Sequence, residues 1–457
     1  MVFASTNPAT GKLEASFETL DAAGLEARIA AAAAAFAVLR RLDVAERAAL
    51  MSRAADLLAG SAAQLGPIVT AEMGKPLAQA EAEVAKSAAG MRFYAEHAAA
   101  FLADEPVDAA EVGASAAYRV WQPLGPILAV MPWNYPIWQV LRFAAPALTA
   151  GNTVLLKHAE NVPRTAAYLE DLFGRAGFPA GAFASLHIEV PAVADVLADP
   201  RVRGATLTGS EAAGRSVAAL AGQHLKKTVL ELGGSDPFVV LPSADLDRAA
   251  SVGVKARTQN TGQSCIAAKR FIVHTDVYDG FVERFVRGTR ALVVGDPRRR
   301  DTDIGPVVSE AARDRLQSLV DDAVGQGARV LCGGTPLEGP GWWFAPTVLA
   351  GVTGTMRIHR EEAFGPVATL YRAQDLDDAL AKANDTPFGL GASVWTADAA
   401  ERRRCVAELE SGAVFVNGMT ASYAQLPFGG VKNSGFGTEL SELGMREFCV
   451  PRTVWVA

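Results

Sequence analysis

The chain has little cysteine, little histidine and no excess of positive charge, and each shortage removes a class of function. Its 457 residues hold four cysteines and six histidines. Cys265, Cys332, Cys405 and Cys449 lie far apart, with no C-x-x-C pair and no histidine at zinc-ligand spacing. Neither a disulfide framework nor a metal site is expected, and all four thiols are read as reduced. Lys and Arg number 43 against 50 Asp and Glu, a net charge of −7. No basic stripe alternates with aromatics, so nucleic acid is not an expected partner. The triplets Arg298 to Arg300 and Arg402 to Arg404 have acidic neighbours and read as solvated faces. The opening MVFASTNPATGKLEASF has neither a basic n-region nor an apolar h-region, and no uninterrupted apolar run of transmembrane length follows. The expectation is a soluble, cytoplasmic protein with no membrane partner.

What is present is ordinary globular composition, 50% hydrophobic and 20% charged, in a length that suits roughly three domains of about 150 residues. The first third reads as helix: DAAGLEARIAAAAAAFAVLRRL and VAERAALMSRAADLLAGSAAQLGPIVTAEMG repeat apolar residues at i, i+3 and i+4. After AAYRVWQPLG, an alternating stretch that reads as a strand, short apolar runs alternate with helical segments: ILAVMPW, TVLLKHA, GATLTGS and KTVLELGG. That alternation predicts an α/β domain with a parallel sheet. A second series starts near Asp236 with PFVVL and KRFIVH and ends with GAVFVN, which predicts a second α/β unit. The tail CVPRTVWVA reads as a β segment that pairs with another sheet, of this subunit or of a neighbour.

Several stretches carry residue types suited to chemistry, each with a plainer alternative. RGATLTGSEAAGRSV puts Gly209, Ser210 and Gly214 between a predicted strand and a predicted helix, where free N–H groups and the helix dipole favour a phosphate. It lacks the G-x-G-x-x-G fingerprint, since Leu207 stands where the first glycine belongs. LLKHAEN ends a strand with Lys157 and Glu160, either a surface ion pair or a cation and an anion for a nucleotide's phosphate and ribose. VLELGGSDP sets Glu231 at the end of an apolar strand, as a turn group or as a general base whose pKa burial raises. MPWNYP fixes Asn134 between aromatics and prolines, as a turn residue or as a donor to a developing oxyanion. NTGQSC offers Cys265 as a small buried residue or as a nucleophile, because thiolate is intrinsically reactive.

Taken together and in order, MPWNYP, LLKHAE, TLTGSEAAG, LELGGSDP, NTGQSC, EEAFGPV and LPFGGVKNSGFGTEL resemble the aldehyde dehydrogenase superfamily from NPATGK to nearly the C-terminus. The resemblance implies an α/β fold with two Rossmann-like domains and a bridging β-arm for oligomerisation, in a homodimer or homotetramer. On that pattern residues 1–104 and 124–233 bind cofactor, 234–435 form the catalytic domain, and 105–123 with 436–457 form the arm. It also implies roles. Cys265 attacks the aldehyde carbon, and Asn134 with the Cys265 backbone N–H holds the oxyanion. Hydride passes to a nicotinamide cofactor, and Glu231 activates water to hydrolyse the resulting thioester. Trp133, Lys157, Glu160, Gly209, Ser210, Gly214, Leu232, Glu362 and Phe364 fall at cofactor-binding positions.

Within that family WQVLRFAAPAL, QSCIAAKRFIV, NGMTASYAQLPFGG and SGFGTELSELGMREFC are most similar to short-type bacterial succinate-semialdehyde dehydrogenases. The implied substrate carries a carboxylate remote from its aldehyde, so the pocket is expected to hold a cation and hydroxyl donors. Arg142 is the expected cation, and Ser422, Trp138 and Gln259 are the other expected substrate residues. Gln259 replaces an arginine found at that position in some members. Glu160 in place of a small residue favours the free 2′-hydroxyl of NAD over the 2′-phosphate of NADP, so NAD is the expected cofactor with NADP as the lesser one. The alternatives left open are an uncharged aliphatic or aromatic aldehyde, a CoA-acylating relative, and a non-catalytic one.

Overall fold

Short runs buried on both faces make the two large sheets, as parallel strands covered by helices require. Thr153–His158 and Gly204–Thr208 have no exposed position, and neither has Asp236–Val240. The computed structural model describes residues 3–457. In it a six-stranded sheet runs in the order Gly435–Phe436, Lys227–Glu231, Gly204–Thr208, Pro126–Met131, Thr153–His158, Phe183–Ser185. A seven-stranded sheet runs Arg329–Cys332, Thr347–Ala350, Val367–Ala373, Ala268–His274, Asp236–Val240, Gly391–Trp395, Ala413–Val416. Both are parallel except at one edge, where Gly435–Phe436 and Arg329–Cys332 pair antiparallel to their neighbours.

Register decides where the chemistry goes. Val130 lies opposite both Lys157 and Leu207, and Thr208 lies opposite Glu231. The segments carrying Trp133, Lys157, Gly209 and Glu231 therefore leave the first sheet at one carboxyl edge, the usual ligand edge of an α/β sheet.

Two features differ from the sequence expectation, and the tail takes one of the two partners left open for it. The N-terminus is a hairpin, Phe3–Asn7 with Lys12–Phe17, rather than a lead into helix. The tail Cys449–Val456 pairs antiparallel with Ala116–Pro123 of its own chain, and Glu105–Val107 completes a three-stranded sheet. Phe436, expected in the arm, belongs instead to the edge strand of the six-stranded sheet.

Helix Ala22–Leu39 is, among the described residues, the one helix long and apolar enough to cross a membrane by length and composition. Its Leu25, Ile29, Ala32, Ala35 and Leu39 stripe is buried, and the Thr153 hydroxyl donates to its Ala32 carbonyl at 3.1 Å. It therefore lies against the first sheet.

Helix Trp138–Ala150 is buried along its whole length, so its first N–H groups cannot turn to water and need protein acceptors. Glu83, from helix Leu77–Phe101, supplies one: its Oε1 accepts from Ile137 and Trp138 N–H, each at 2.9 Å. The other carboxylate oxygen takes the buried Lys75 ammonium. Replacing Glu83 by alanine leaves both the helix start and the Lys75 charge without partners. We expect a loss of about 3–5 kcal/mol in urea unfolding at neutral pH. A loss below about 1 kcal/mol would show the pair to be dispensable.

Candidate active site

The nucleophile candidate follows a strained turn. Helix Leu246–Thr258 gives way to Asn260 (φ 57°), Thr261 (φ 55°) and Gly262 (φ 73°), three successive residues in the left-handed region. The two that are not glycine each cost about 1–3 kcal/mol, and the surroundings hold them. Asn260 Nδ2 donates to the carbonyls of Asn134 (2.8 Å) and Gln263 (2.9 Å), and Thr261 Oγ1 accepts from Gly305 N–H at 3.1 Å. The buried Arg257 donates to the carbonyls of Ala268 and Gly262.

Beyond the turn, Lys269 Nζ gathers three acceptors: the Ser264 carbonyl at 2.8 Å, the Cys265 carbonyl at 2.7 Å and the Glu362 carboxylate at 2.9 Å. The glycines after Glu231 allow this approach. A Cβ at Gly234 would sit 2.4 Å from the Cys265 carbonyl oxygen, and one at Gly233 would sit 2.8 Å from Glu362 Oε2. Gly234 is thus required by the close backbone of Cys265 rather than by an unusual torsion, while a side chain at Gly233 would displace the Glu362 carboxylate.

Around the Cys265 thiol the balance favours the neutral form. Burial pushes it up to about 12, against the pull of Arg142 and Lys269. Glu231 is 1% exposed and neither carboxylate oxygen has a hydrogen-bond partner. Burial raises its pKa well above the usual carboxylate range, with Arg142 opposing and Glu439 adding to the rise. Asn134 Nδ2 donates to the Gln263 carbonyl at 3.0 Å. Its second N–H has no acceptor among the described residues, and the Cys265 backbone N–H donates to none either. A partly buried thiol, an orphaned buried carboxyl and two idle donors are the parts that acyl transfer through a thioester needs.

The cofactor candidates gather at the carboxyl edge of the first sheet. Ser210 caps the 13-residue helix Glu211–Gln223 by accepting from Ala213 N–H at 3.3 Å, and Ser210 and Ala212 are exposed. First-turn N–H groups there are open to an anion. Gly214 lies under Leu232, whose Cδ2 would be 2.5 Å from a Cβ at that position, so Leu232 packs the helix start. Lys157 reaches Glu160 at 3.5 Å. Trp133 and Phe364 meet edge to face with ring centroids 5.7 Å apart. Amide donors for a pyrophosphate, a cation and carboxylates for ribose hydroxyls, and an aromatic pair for a flat ring fit a dinucleotide.

The substrate residues are placed less uniformly. Arg142 is not free to receive a substrate carboxylate as expected. It is 3% exposed, ion-paired with Glu439, donates to Thr208 Oγ1 at 3.2 Å and lies 4.7 Å over the Phe428 ring. Gln259 Nε2 donates to the Tyr135 hydroxyl at 3.2 Å. Trp138 and Ser422 do meet, Trp138 Nε1 donating to Ser422 Oγ at 2.9 Å. Sequence reading missed Lys269, Glu439, Asn260 and Glu83. The first three lie inside or beside quoted motifs, but nothing local shows that each reaches a partner from another element.

Residues 1–454 match the profile of the Aldehyde dehydrogenase family. The chain belongs to that family. This aldehyde dehydrogenase is 56% identical, over the full length of both chains, to a Mycobacterium ulcerans protein named succinate-semialdehyde dehydrogenase [NADP(+)] 1. Among solved structures it is similar to Gox0499, at 40% identity and a TM-score of 0.98 with both chains covered completely. It is also similar to the succinic semialdehyde dehydrogenase of Streptococcus pyogenes in complex with NADP+, at 36% identity, a TM-score of 0.96 and 99% coverage of each chain.

These relatives overturn the expected preference for NAD. The expectation treated Glu160 as an unopposed negative charge facing a 2′-phosphate. Its side chain is 49% exposed and lies beside the Lys157 ammonium, so Lys157 offsets the charge and solvent screens it.

With its pKa near the top of the accessible range, Cys265 should react through a small thiolate fraction. Iodoacetamide labelling of Cys265, followed by peptide mass spectrometry, is expected to speed up about tenfold per pH unit from about pH 7 to about pH 9 without levelling. A plateau in that range would contradict the buried, neutral thiol.

Proposed function

We propose that this aldehyde dehydrogenase oxidises succinate semialdehyde to succinate with NADP+, as a homo-oligomer. The observation that carries the reading is the constellation of Cys265, Asn134 and Glu231 in a chain similar from end to end to proteins of that name. The apolar residues exposed on the tail strand, Val450, Trp455 and Val456, support self-association.

The chain's residues divide the work. The Cys265 thiol releases its proton to solvent and Sγ adds to the aldehyde carbon, whose carbonyl oxygen becomes the oxyanion of a thiohemiacetal. Its oxyanion lies where the second Asn134 N–H and the Cys265 N–H are idle, so no other hydrogen bond is broken to receive it. A bound nicotinamide cofactor supplies the hydride acceptor. Collapse of the thiohemiacetal leaves a thioester on Cys265. Glu231, after its resting proton has passed to solvent, takes a proton from water, whose oxygen adds to the thioester carbon, and then gives that proton to the departing sulfur. The carboxylic acid leaves and the Cys265 thiol is restored. The raised pKa of Glu231 makes it a stronger base than an exposed carboxylate.

Steady-state comparison is expected to give a higher kcat/KM for succinate semialdehyde than for hexanal or benzaldehyde, and a higher one with NADP+ than with NAD+. The reverse order in either pair would sink that part of the proposal. Glu231→Gln is expected to give a burst of reduced cofactor near one per subunit and then turnover slowed by about 10²–10⁴-fold. Stopped-flow absorbance reads both phases, and a linear trace with no burst would place Glu231 before thioester formation.

A further inference from the structure

The protein carries a cation on the far side of Trp138 from the nucleophile's cluster that the reaction steps above do not use. Lys86 lies one turn beyond Glu83 on helix Leu77–Phe101, so the contact of Glu83 with the Ile137 and Trp138 N–H groups also fixes Lys86 relative to Trp138. Lys86 Nζ donates to Ser422 Oγ at 2.9 Å and sits 4.3 Å over the Trp138 ring. Trp138 in turn packs in the apolar cluster that includes Tyr135, Cys265 and Ile266.

Hydrogen-bond capacity shows what is missing there. Ser422 Oγ accepts from both Lys86 Nζ and Trp138 Nε1, which uses its two lone pairs and leaves its own O–H idle. Lys86 has two further N–H groups and, among the described residues, no carboxylate at ion-pair distance. Three donors and a positive charge without an ion-pair partner therefore converge with no acceptor. Arg142, by contrast, is already neutralised by Glu439. Lys86 keeps exposed surface while its ammonium is crowded by Ser422 and Trp138, so a substrate can reach it.

We propose that Lys86, with the Ser422 hydroxyl, receives the remote carboxylate of the aldehyde substrate and sets the preference for a carboxylate-bearing aldehyde. The inference rests on the proposed substrate. The surroundings also give it a pH signature. Crowding of the ammonium, then the Arg142 guanidinium and the Lys75 ammonium, lower the Lys86 pKa to about 8 against the opposing pull of Glu83, so the charge that the carboxylate needs is present below that pH and is lost above it.

The test compares kcat/KM for succinate semialdehyde and for hexanal in the wild type, Lys86→Met and Lys86→Arg. Lys86→Met is expected to lower the ratio at least about tenfold, through KM for succinate semialdehyde rather than kcat. Lys86→Arg is expected to restore most of it. In the wild type, KM for succinate semialdehyde should rise above about pH 8, and in Lys86→Arg that rise should vanish, because guanidinium does not titrate there. A wild type that favours succinate semialdehyde and a Lys86→Met variant that keeps the same ratio would overturn the role of Lys86 alone. A wild type that favours hexanal would overturn the substrate itself.

Discussion

Two carboxyl groups and one guanidinium share a dry space beneath the nucleophile, and much of the site follows from that shortage of charge. Arg142 can neutralise one anion, and it is ion-paired with Glu439. Glu231 is buried beside them with no hydrogen bond to its oxygens, so its neutral form is favoured in the resting protein. The Cys265 thiol feels the same desolvation. Both groups are therefore biased towards their neutral forms, and either proton is costly to lose while the site holds no further charge. The same bias makes Glu231, once ionised, a stronger base than an exposed carboxylate for the hydrolytic step.

The second constraint is backbone crowding between the two sheets. Glu231 ends a strand of the first sheet, and Cys265 precedes a strand of the second. They meet because Gly233 and Gly234 carry no side chains and because the turn at Asn260 to Gly262 stays in a left-handed conformation. Lys269 then ties the Cys265 carbonyl to Glu362, so the nucleophile's backbone and a cofactor-binding candidate are held by one ammonium. Positioning here is a property of both sheets, and neither unit alone contains a complete site.

The strand series and the α/β class were legible because buried parallel strands are short, apolar and separated by amphipathic helices. Cys265, Glu231 and Asn134 were legible as candidates because each sits among residues that leave space or fix the backbone. Arg142 was misjudged as a substrate group. Its helix is buried on every face, and no periodicity reveals which neighbour a buried arginine meets. Glu160 was misjudged because the ion pair with Lys157, one of the two readings of LLKHAEN, was not carried into the choice of cofactor. The N-terminal hairpin, Phe3–Asn7 with Lys12–Phe17, was passed over although KLEASF alternates Leu13, Ala15 and Phe17 with polar residues, because the Ala-rich segments that follow dominate the reading of the first third as helix.

The sequence by itself determined the family, the two-unit α/β architecture and the residue types available for acyl chemistry, since these depend on local pattern and on motifs in order. Tertiary structure alone decided which charges are spent and which are free. Arg142 is spent on Glu439, Lys157 lies beside Glu160, and Lys269 is shared between Glu362 and two carbonyls. Among the described residues, Lys86 remains with a hydroxyl and an aromatic face as its direct contacts. The reason is physical: electrostatic energy depends on distance through space and on burial, and neither quantity is carried by distance along the chain.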